Sequence, residues 1–142
     1  MAETQLRKYA VVEKLNKMEV DLITTTPDIA EATYSNGDLM AEGESITNAV
    51  AVKGGSCILQ SITAVDTSDT GGAIYLIITE NSVDLGTVGS AVNAADAAAD
   101  NSVAIVELSN WTDIGGAKVC TKTNIGLVCS PISASKHLYF GV

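Results

Sequence analysis

Residues 45–79, SITNAVAVKGGSCILQSITAVDTSDTGGAIYLIIT, decide the fold class of this chain. They contain three apolar runs rich in β-branched residues, at 49–52, 57–65 and 74–79, with a glycine pair after each of the first two. Such runs, bounded by Gly, Asp and Ser, are typical of strands that meet at turns, because glycine accepts the positive φ values of tight turns. A helix here would contain both glycine pairs and many β-branched residues, which disfavour helix. The stretch therefore predicts the centre of an antiparallel sheet.

Further strands are predicted on both sides of this centre. The alternation of Met18, Val20 and Leu22 with acidic residues indicates a strand with one solvated face. The alanine-rich segment 94–100 is the best helix candidate in the body, although it is long enough for only a turn or two. The remaining strands are expected at 102–108, 118–121, 125–129 and 137–142.

This pattern predicts an all-β protein, an antiparallel β-sandwich or jelly roll with one short helix and an N-terminal arm. The arm is residues 1–17 and the β-sandwich domain is residues 18–142. The core is expected to be aliphatic, since aromatic residues make up only 4% of the chain. The residues expected in the core are Ile58, Ile62, Ile74, Leu76, Ile78, Ile105 and Leu127.

The chain is acidic, with a formal net charge of −9, and this charge is unevenly placed. Residues 1–17 hold four basic and two acidic residues, whereas the rest of the chain holds four basic and fifteen acidic residues. An acidic body argues against nucleic acid and against an anionic membrane as partners. No apolar run approaches the ~20 residues of a membrane-spanning helix. No secretory signal is visible, so synthesis in a cytoplasm is expected.

The three cysteines, Cys57, Cys120 and Cys129, are an odd number without metal-ligand spacing, so reduced and buried thiols are expected. If residues 118–131 form a hairpin that turns at 124–125, Cys120 and Cys129 face each other across it. That geometry would suit a disulfide, although a reducing compartment disfavours one.

No catalytic or metal-binding constellation is recognisable in the sequence. The one histidine, His137, is expected to begin the last strand as a structural residue, the alternative being a general base. The acid pairs Asp66/Asp69 and Asp96/Asp100 are interpreted as solvated rather than as Ca²⁺ ligands. Trp111 is expected in the core or an interface. The sequence therefore predicts no enzyme, no cofactor and no metal.

Several short motifs occur in an order that suggests a family. They include "Pro … Tyr-x-x-Gly-Asp", "Asn-Ala … Gly-Gly … Leu-x-Ser-Ile", an acidic turn with an aliphatic strand, and "Asn-Ala-Ala-Asp". The residues that carry them are Pro27, Tyr34, Gly37, Asp38, Asn48, Ala49, Gly54, Gly55, Leu59, Ser61, Ile62, Asp66 and 93–96.

In this order and spacing, residues 18–142 resemble small capsid decoration (cement) proteins of tailed bacteriophages. The resemblance implies a β-sandwich without an active site that forms homotrimers. It also implies that the protein binds the major capsid protein on the outer surface of the virion and clamps neighbouring capsomers. Two other classes remain open. One is another phage structural component, such as a head fibre base, neck or tail protein, and the other is a ligand- or carbohydrate-binding β-sandwich.

The arm is the predicted subunit or capsid interface, since its positive charge complements the acidic surface of a neighbouring subunit. It is expected to become ordered on docking. The alternative is a helix that caps its own body. The interface residues predicted in the arm are Arg7, Lys8, Tyr9, Val11, Lys14, Leu15 and Lys17.

Overall fold

A computed structural model describes residues 21–29 and 33–142 of the protein. The arm predicted at 1–17 lies outside the described residues. The strand predicted at 18–22 lies mostly outside them, and its last two residues, Asp21 and Leu22, are irregular and exposed. Within these residues no helix is long and apolar enough to cross a membrane.

The described part of the chain contains nine strands and one helix, and every strand pair is antiparallel. The all-β prediction is therefore confirmed, whereas the finer jelly-roll topology stays a prediction. The short helix, α1, is Asp96–Ala99. The strands are β1 Glu44–Ile46, β2 Cys57–Leu59, β3 Ile62–Asp66, β4 Ile74–Thr79, β5 Ser102–Leu108, β6 Thr112–Asp113, β7 Lys118–Lys122, β8 Leu127–Cys129 and β9 Leu138–Gly141.

The first layer is a four-stranded sheet in the order β1-β9-β4-β5. Its centre is the β4–β5 pair, in which Ile74 lies opposite Leu108 and Ile78 opposite Ala104. Because side chains alternate across a strand, Val106 and Leu108 face the core while Ile105 faces outward. The outer side at β9 is covered, because a Cβ atom on Gly141 would contact the buried side chain of Leu85.

The second layer is a bent ribbon in which β2 and β3 run antiparallel to β8 and β7. Cys57 lies opposite Cys129 at one end of this ribbon, and Asp66 lies opposite Lys118 at the other. In the middle, Gln60 and Ser61 oppose the four residues 123–126, and the backbone N–H of Ile125 donates to the Gln60 carbonyl at 2.9 Å. Two residues that oppose four produce a bulge and a bend. Strand β6 extends the ribbon at β7.

The two layers pack face to face around one apolar cluster. Its buried members are Ile78, Val106, Leu108, Cys120, Phe140 and Val142. Leu59, Ile62 and Ile125 of the ribbon pack against it, as do Ile74, Leu76 and Trp111. Five residues from the first layer or its end and one buried cysteine from the ribbon thus form the centre of a β-sandwich.

The core prediction is confirmed in part. Ile78 is buried, Ile62, Ile74 and Leu76 are partly buried against the cluster, and Leu127 is half-buried. The prediction is wrong for Ile58 and Ile105, which are 56% and 66% exposed. On their strands the alternate residues occupy the inner side, so a core position is not available to either side chain.

Two other local predictions are corrected by the structure. Residues 49–52 bend instead of forming a strand, because Asn48 (φ 55°) and Gly54 (φ 68°) turn the chain back at both ends. The Cys120–Cys129 hairpin is also wrong, since Cys120 lies opposite Ala64 and Cys129 lies opposite Cys57. All three cysteines are free thiols.

Candidate functional site

The seven interface residues predicted in the arm lie outside the described residues, so the predicted interface stays a prediction. They are Arg7, Lys8, Tyr9, Val11, Lys14, Leu15 and Lys17.

The outer side of the ribbon is the most distinctive surface of the described part of the chain. We define the ribbon face as six residues that form three directly opposed pairs. These pairs are Ile58 with Val128, Thr63 with Thr121, and Val65 with Val119. The two threonine Oγ1 atoms lie 3.2 Å apart and form a hydrogen bond across the strands.

The ribbon face is apolar and exposed. The residues Ile58, Val65 and Val128 are 56%, 59% and 62% exposed, and Val119 is half-buried. None of the six residues is charged, although the whole chain has a net charge of −9. The central parts of protein interfaces are depleted in charged residues, and exposed apolar patches mark interaction sites. The ribbon face therefore has the chemistry of a protein-binding surface.

The sequence contains a signal for this surface. In β3 and β7, Thr63, Val65, Val119 and Thr121 alternate with residues of the core side, which is the pattern of a strand with two different faces. The signal was missed because β-branched residues suit both a core and an exposed sheet surface.

A second exposed surface lies on the first layer. Strand β5 is at the edge of its sheet in the described part of the chain, and its outward Ile105 lies opposite Ile77 of β4. Tyr75, next on the same side of β4, is half exposed. An exposed strand edge is a place where a second strand can pair.

The one histidine has a structural contact. Nδ1 of His137 accepts a hydrogen bond from the backbone N–H of Asn48 at 3.0 Å, and the His137 N–H donates to Ser135 Oγ at 2.9 Å. These contacts hold the turn at Asn48 against the start of β9. His137 thus connects two loops that are distant in sequence.

The loop between β3 and β4 is organised by one carboxylate. Asp66 accepts hydrogen bonds from the backbone N–H groups of Ser68, Thr70 and Gly71 at 2.8, 3.1 and 2.8 Å. The Ser68 hydroxyl donates to it as well. The Ser68 hydroxyl and the Gly71 N–H hold the pKa of Asp66 well below its usual range, because these donors favour the charged form. Asp66 is thus engaged within its own loop.

Trp111 also contacts the loop between β3 and β4. Its Nε1–H donates to the Gly72 carbonyl at 2.8 Å, and its ring packs against the core cluster. The expectation of a core or interface position is met in part, since Trp111 is partly buried at the margin of the core cluster. Within residues 21–29 and 33–142, no three His, Cys, Asp or Glu side chains lie together in a group that could hold a metal ion.

We expect Asp66→Ala to lower the free energy of unfolding by about 1 kcal/mol at neutral pH, because the loop donors lose a charged acceptor in a solvent-exposed position. A lowered pKa in the folded state means that this contribution is present above the ordinary carboxyl pKa. It is lost as the pH falls. The difference between wild type and variant should therefore shrink below about pH 4. Urea unfolding of wild type and variant at pH 7 and at pH 3 measures the difference in unfolding free energy at each pH.

The matched control for this prediction is Asp69→Asn. Asp69 lies in the same loop with a φ of 61°, which asparagine tolerates. This variant should stay within about 0.5 kcal/mol of wild type. A loss for Asp66→Ala that is the same at both pH values would contradict the assignment to the carboxylate.

Comparison of the chain with protein-family models, with curated proteins and with solved structures gave no match.

Proposed function

We propose that this protein is a non-enzymatic structural protein of a tailed-phage virion, a decoration protein that binds the outer surface of the capsid. The observation that carries this proposal is the ribbon face, an uncharged and apolar sheet surface on an acidic protein. A capsid surface presents a large protein area to which such a face can dock by excluding water. The resemblance of residues 18–142 to decoration proteins supports the same assignment.

The proposed partner is the major capsid protein, and the ribbon face is its proposed contact. Ile58, Val65 and Val128 supply apolar area, while Thr63 and Thr121 supply hydroxyl groups for hydrogen bonds at the same surface. The strands behind this face are held by their own backbone ladder and by the core. Binding would therefore require little reordering of the ribbon, which lowers its entropic cost.

Self-association as a homotrimer is proposed for the second exposed surface. The outer edge of β5, with Ile105 and Tyr75 beside it, supplies backbone groups and apolar area to another copy. A closed ring of identical subunits would cover such edges. The number three comes from the family resemblance alone.

Co-sedimentation with empty, expanded heads of the source phage tests the proposed function. The protein should pellet with the heads in a saturable manner, with a fixed ratio to the major capsid protein. Binding to a tail or neck assembly instead of heads would favour another structural role in the virion. Failure to bind any virion part would reject the proposal.

Deletion of residues 1–16 tests the predicted role of the arm. Because the arm carries positive charge and the body is acidic, we expect the truncated protein to bind heads at least about 10-fold more weakly at low salt. Its thermal midpoint should stay unchanged, since the proposed contacts are made to a neighbouring subunit. Sedimentation at two salt concentrations and a thermal melt measure these effects. Unchanged binding at moderate salt would reject the fastening role, and a large loss of stability would favour the capping helix.

A further inference from the structure

Two cysteines of the ribbon lie directly opposite each other. Cys57 of β2 and Cys129 of β8 are partners in the antiparallel register, at the end of the ribbon. They share the inner side of the ribbon, because Ile58 and Val128, the next pair along the strands, point outward. The register thus joins two thiols that are far apart in the sequence.

The backbone at this position has the spacing that a disulfide needs. Directly opposed residues of an antiparallel pair have Cα atoms about 4.5 or about 5.5 Å apart, depending on the hydrogen-bond pattern. Disulfides span Cα distances of about 4.4–6.8 Å. A bond between the two sulfur atoms therefore requires side-chain rotation and little backbone movement.

The surroundings keep the two strands together at this point. The hydroxyl groups of Ser56, just before β2, and Ser130, just after β8, form a hydrogen bond of 2.8 Å. The Cys129 thiol makes only a weak contact of 3.7 Å to the Leu127 carbonyl. Rotation of this thiol toward Cys57 would thus cost one weak hydrogen bond.

We propose that Cys57 and Cys129 form an intramolecular disulfide that closes the end of the ribbon when the protein meets an oxidising small-molecule disulfide. Cys57, which is partly exposed, is the first nucleophile, and Cys129, which is fully buried, is the resolving thiol.

The reaction is thiol–disulfide exchange and it balances without another reactant. The Cys57 thiolate attacks one sulfur of the small disulfide, which releases one small thiolate and leaves a mixed disulfide. The Cys129 thiolate then attacks the Cys57 sulfur and displaces the second small thiolate. The two protein thiols are oxidised, the small disulfide is reduced to two thiols, and the two protein protons pass to solvent or to these thiolates.

The environment makes this exchange slow at neutral pH. Burial raises the pKa of Cys57, and burial together with the neighbouring Cys57 and Glu80 raises the pKa of Cys129 to about 11. Because the thiolate is the attacking species, the rate should rise with pH. The protein would therefore stay reduced during synthesis and close slowly outside the cell, a timing that rests on the proposed function. The proposed pairing of Cys57 with Cys129 does not depend on the proposed function.

Oxidation of the full-length protein with oxidised glutathione, followed by alkylation and peptide mass mapping without reductant, tests the proposal. We expect one crosslinked peptide pair that contains Cys57 and Cys129 of the same chain, and an alkylated Cys120. Closure should be faster at pH 9 than at pH 8. The thermal midpoint should rise by roughly 10 °C, because the bond closes a loop of about half the chain.

Variants provide the matched controls. Cys120→Ser should still form the crosslink, whereas Cys57→Ser should show neither the crosslink nor the thermal shift. The wild-type map alone identifies the bonded pair if a variant fails to fold. A bond to Cys120, a bond between two chains, a persistent glutathione adduct on Cys57, or three alkylated thiols after prolonged oxidation would each overturn the proposal. This result does not depend on capsid binding, so either proposal can fail alone.

Discussion

Replacement of Leu108 by alanine is expected to lower the free energy of unfolding by about 3–5 kcal/mol. Leu108 is fully buried, lies opposite Ile74 in the β4–β5 pair and belongs to the core cluster. Truncation removes apolar contacts and leaves a cavity in the closely packed core cluster, which the surrounding structure can fill only in part. Urea unfolding followed by tryptophan fluorescence measures this loss, since Trp111 packs against the same cluster.

The same strand supplies the control for this prediction. Like Leu108→Ala, the Ile105→Ala variant shortens a large aliphatic side chain of β5 to a methyl group. Ile105, however, points away from the core. This variant should lose less than about 1 kcal/mol, most of it from the lower strand propensity of alanine. Equal losses in the two variants would mean that the faces of β5 are assigned incorrectly.

The second large effect is expected on capsid binding. In the double variant Ile58→Lys/Val128→Glu, two opposite charges replace the apolar pair at one end of the ribbon face, and the net charge does not change. Charged groups would lose their water on docking without a prepared partner, so we expect binding to weaken by about 100-fold or more. A titration of empty heads, with bound protein measured after sedimentation, gives the affinity.

The double variant is expected to keep the native fold. Lysine and glutamate directly opposite each other form a favourable cross-strand pair, so the ribbon should keep its register. Both positions are more than half exposed, and the thermal midpoint should remain within a few degrees of wild type. Ile114→Lys is the control, because Ile114 is equally apolar and exposed but lies in the turn after β6, outside the ribbon face. Normal binding by the double variant would remove the ribbon face from the proposed function.

The sequence predicted best those strands whose ends are marked by turn or loop residues. Residues 74–79 follow a glycine pair and end before a polar loop, and β4 has these same bounds. In β5, the alternation that places Ala104, Val106 and Leu108 on one side is found in the structure. Each segment contains its own pattern of apolar and polar residues, so it can be recognised as a strand without knowledge of its partner.

The ribbon was harder to predict because its register depends on distant residues. Ile58 and Leu59 are consecutive and both apolar, so the local pattern did not indicate which of them faces inward. A shift of one residue in register exchanges the two faces of a strand. The pairing of β2 with β8 decides which of the two faces inward. The bulge at 123–126 that sets this pairing depends on the positive φ angles of Asn124 and Gly126.

Pairing between distant residues also explains why β1 was not predicted and why the pairing of the cysteines was predicted wrongly. Residues 44–46, which include two polar side chains, form a strand because Glu44 and Ile46 pair with Phe140 and Leu138 of β9. The more apolar run 49–52 has no such partner strand in the described part of the chain. The expected hairpin of Cys120 and Cys129 does not form, because β7 pairs with β3 and β8 pairs with β2 instead of with each other.

The position of β9 also decides the order in which the molecule can assemble. This strand, the last of the described strands in sequence order, lies between β1 and β4 in the sheet, and β1 has β9 as its only sheet neighbour among them. During translation, the β4–β5 pair can form before the pairs that involve β9, because residues 80–101 are all that separates its two strands. Strand β1 must wait until β9 has been synthesised. We therefore expect the sheet to be completed after the β4–β5 pair has formed, with a slow phase that reports the insertion of β9.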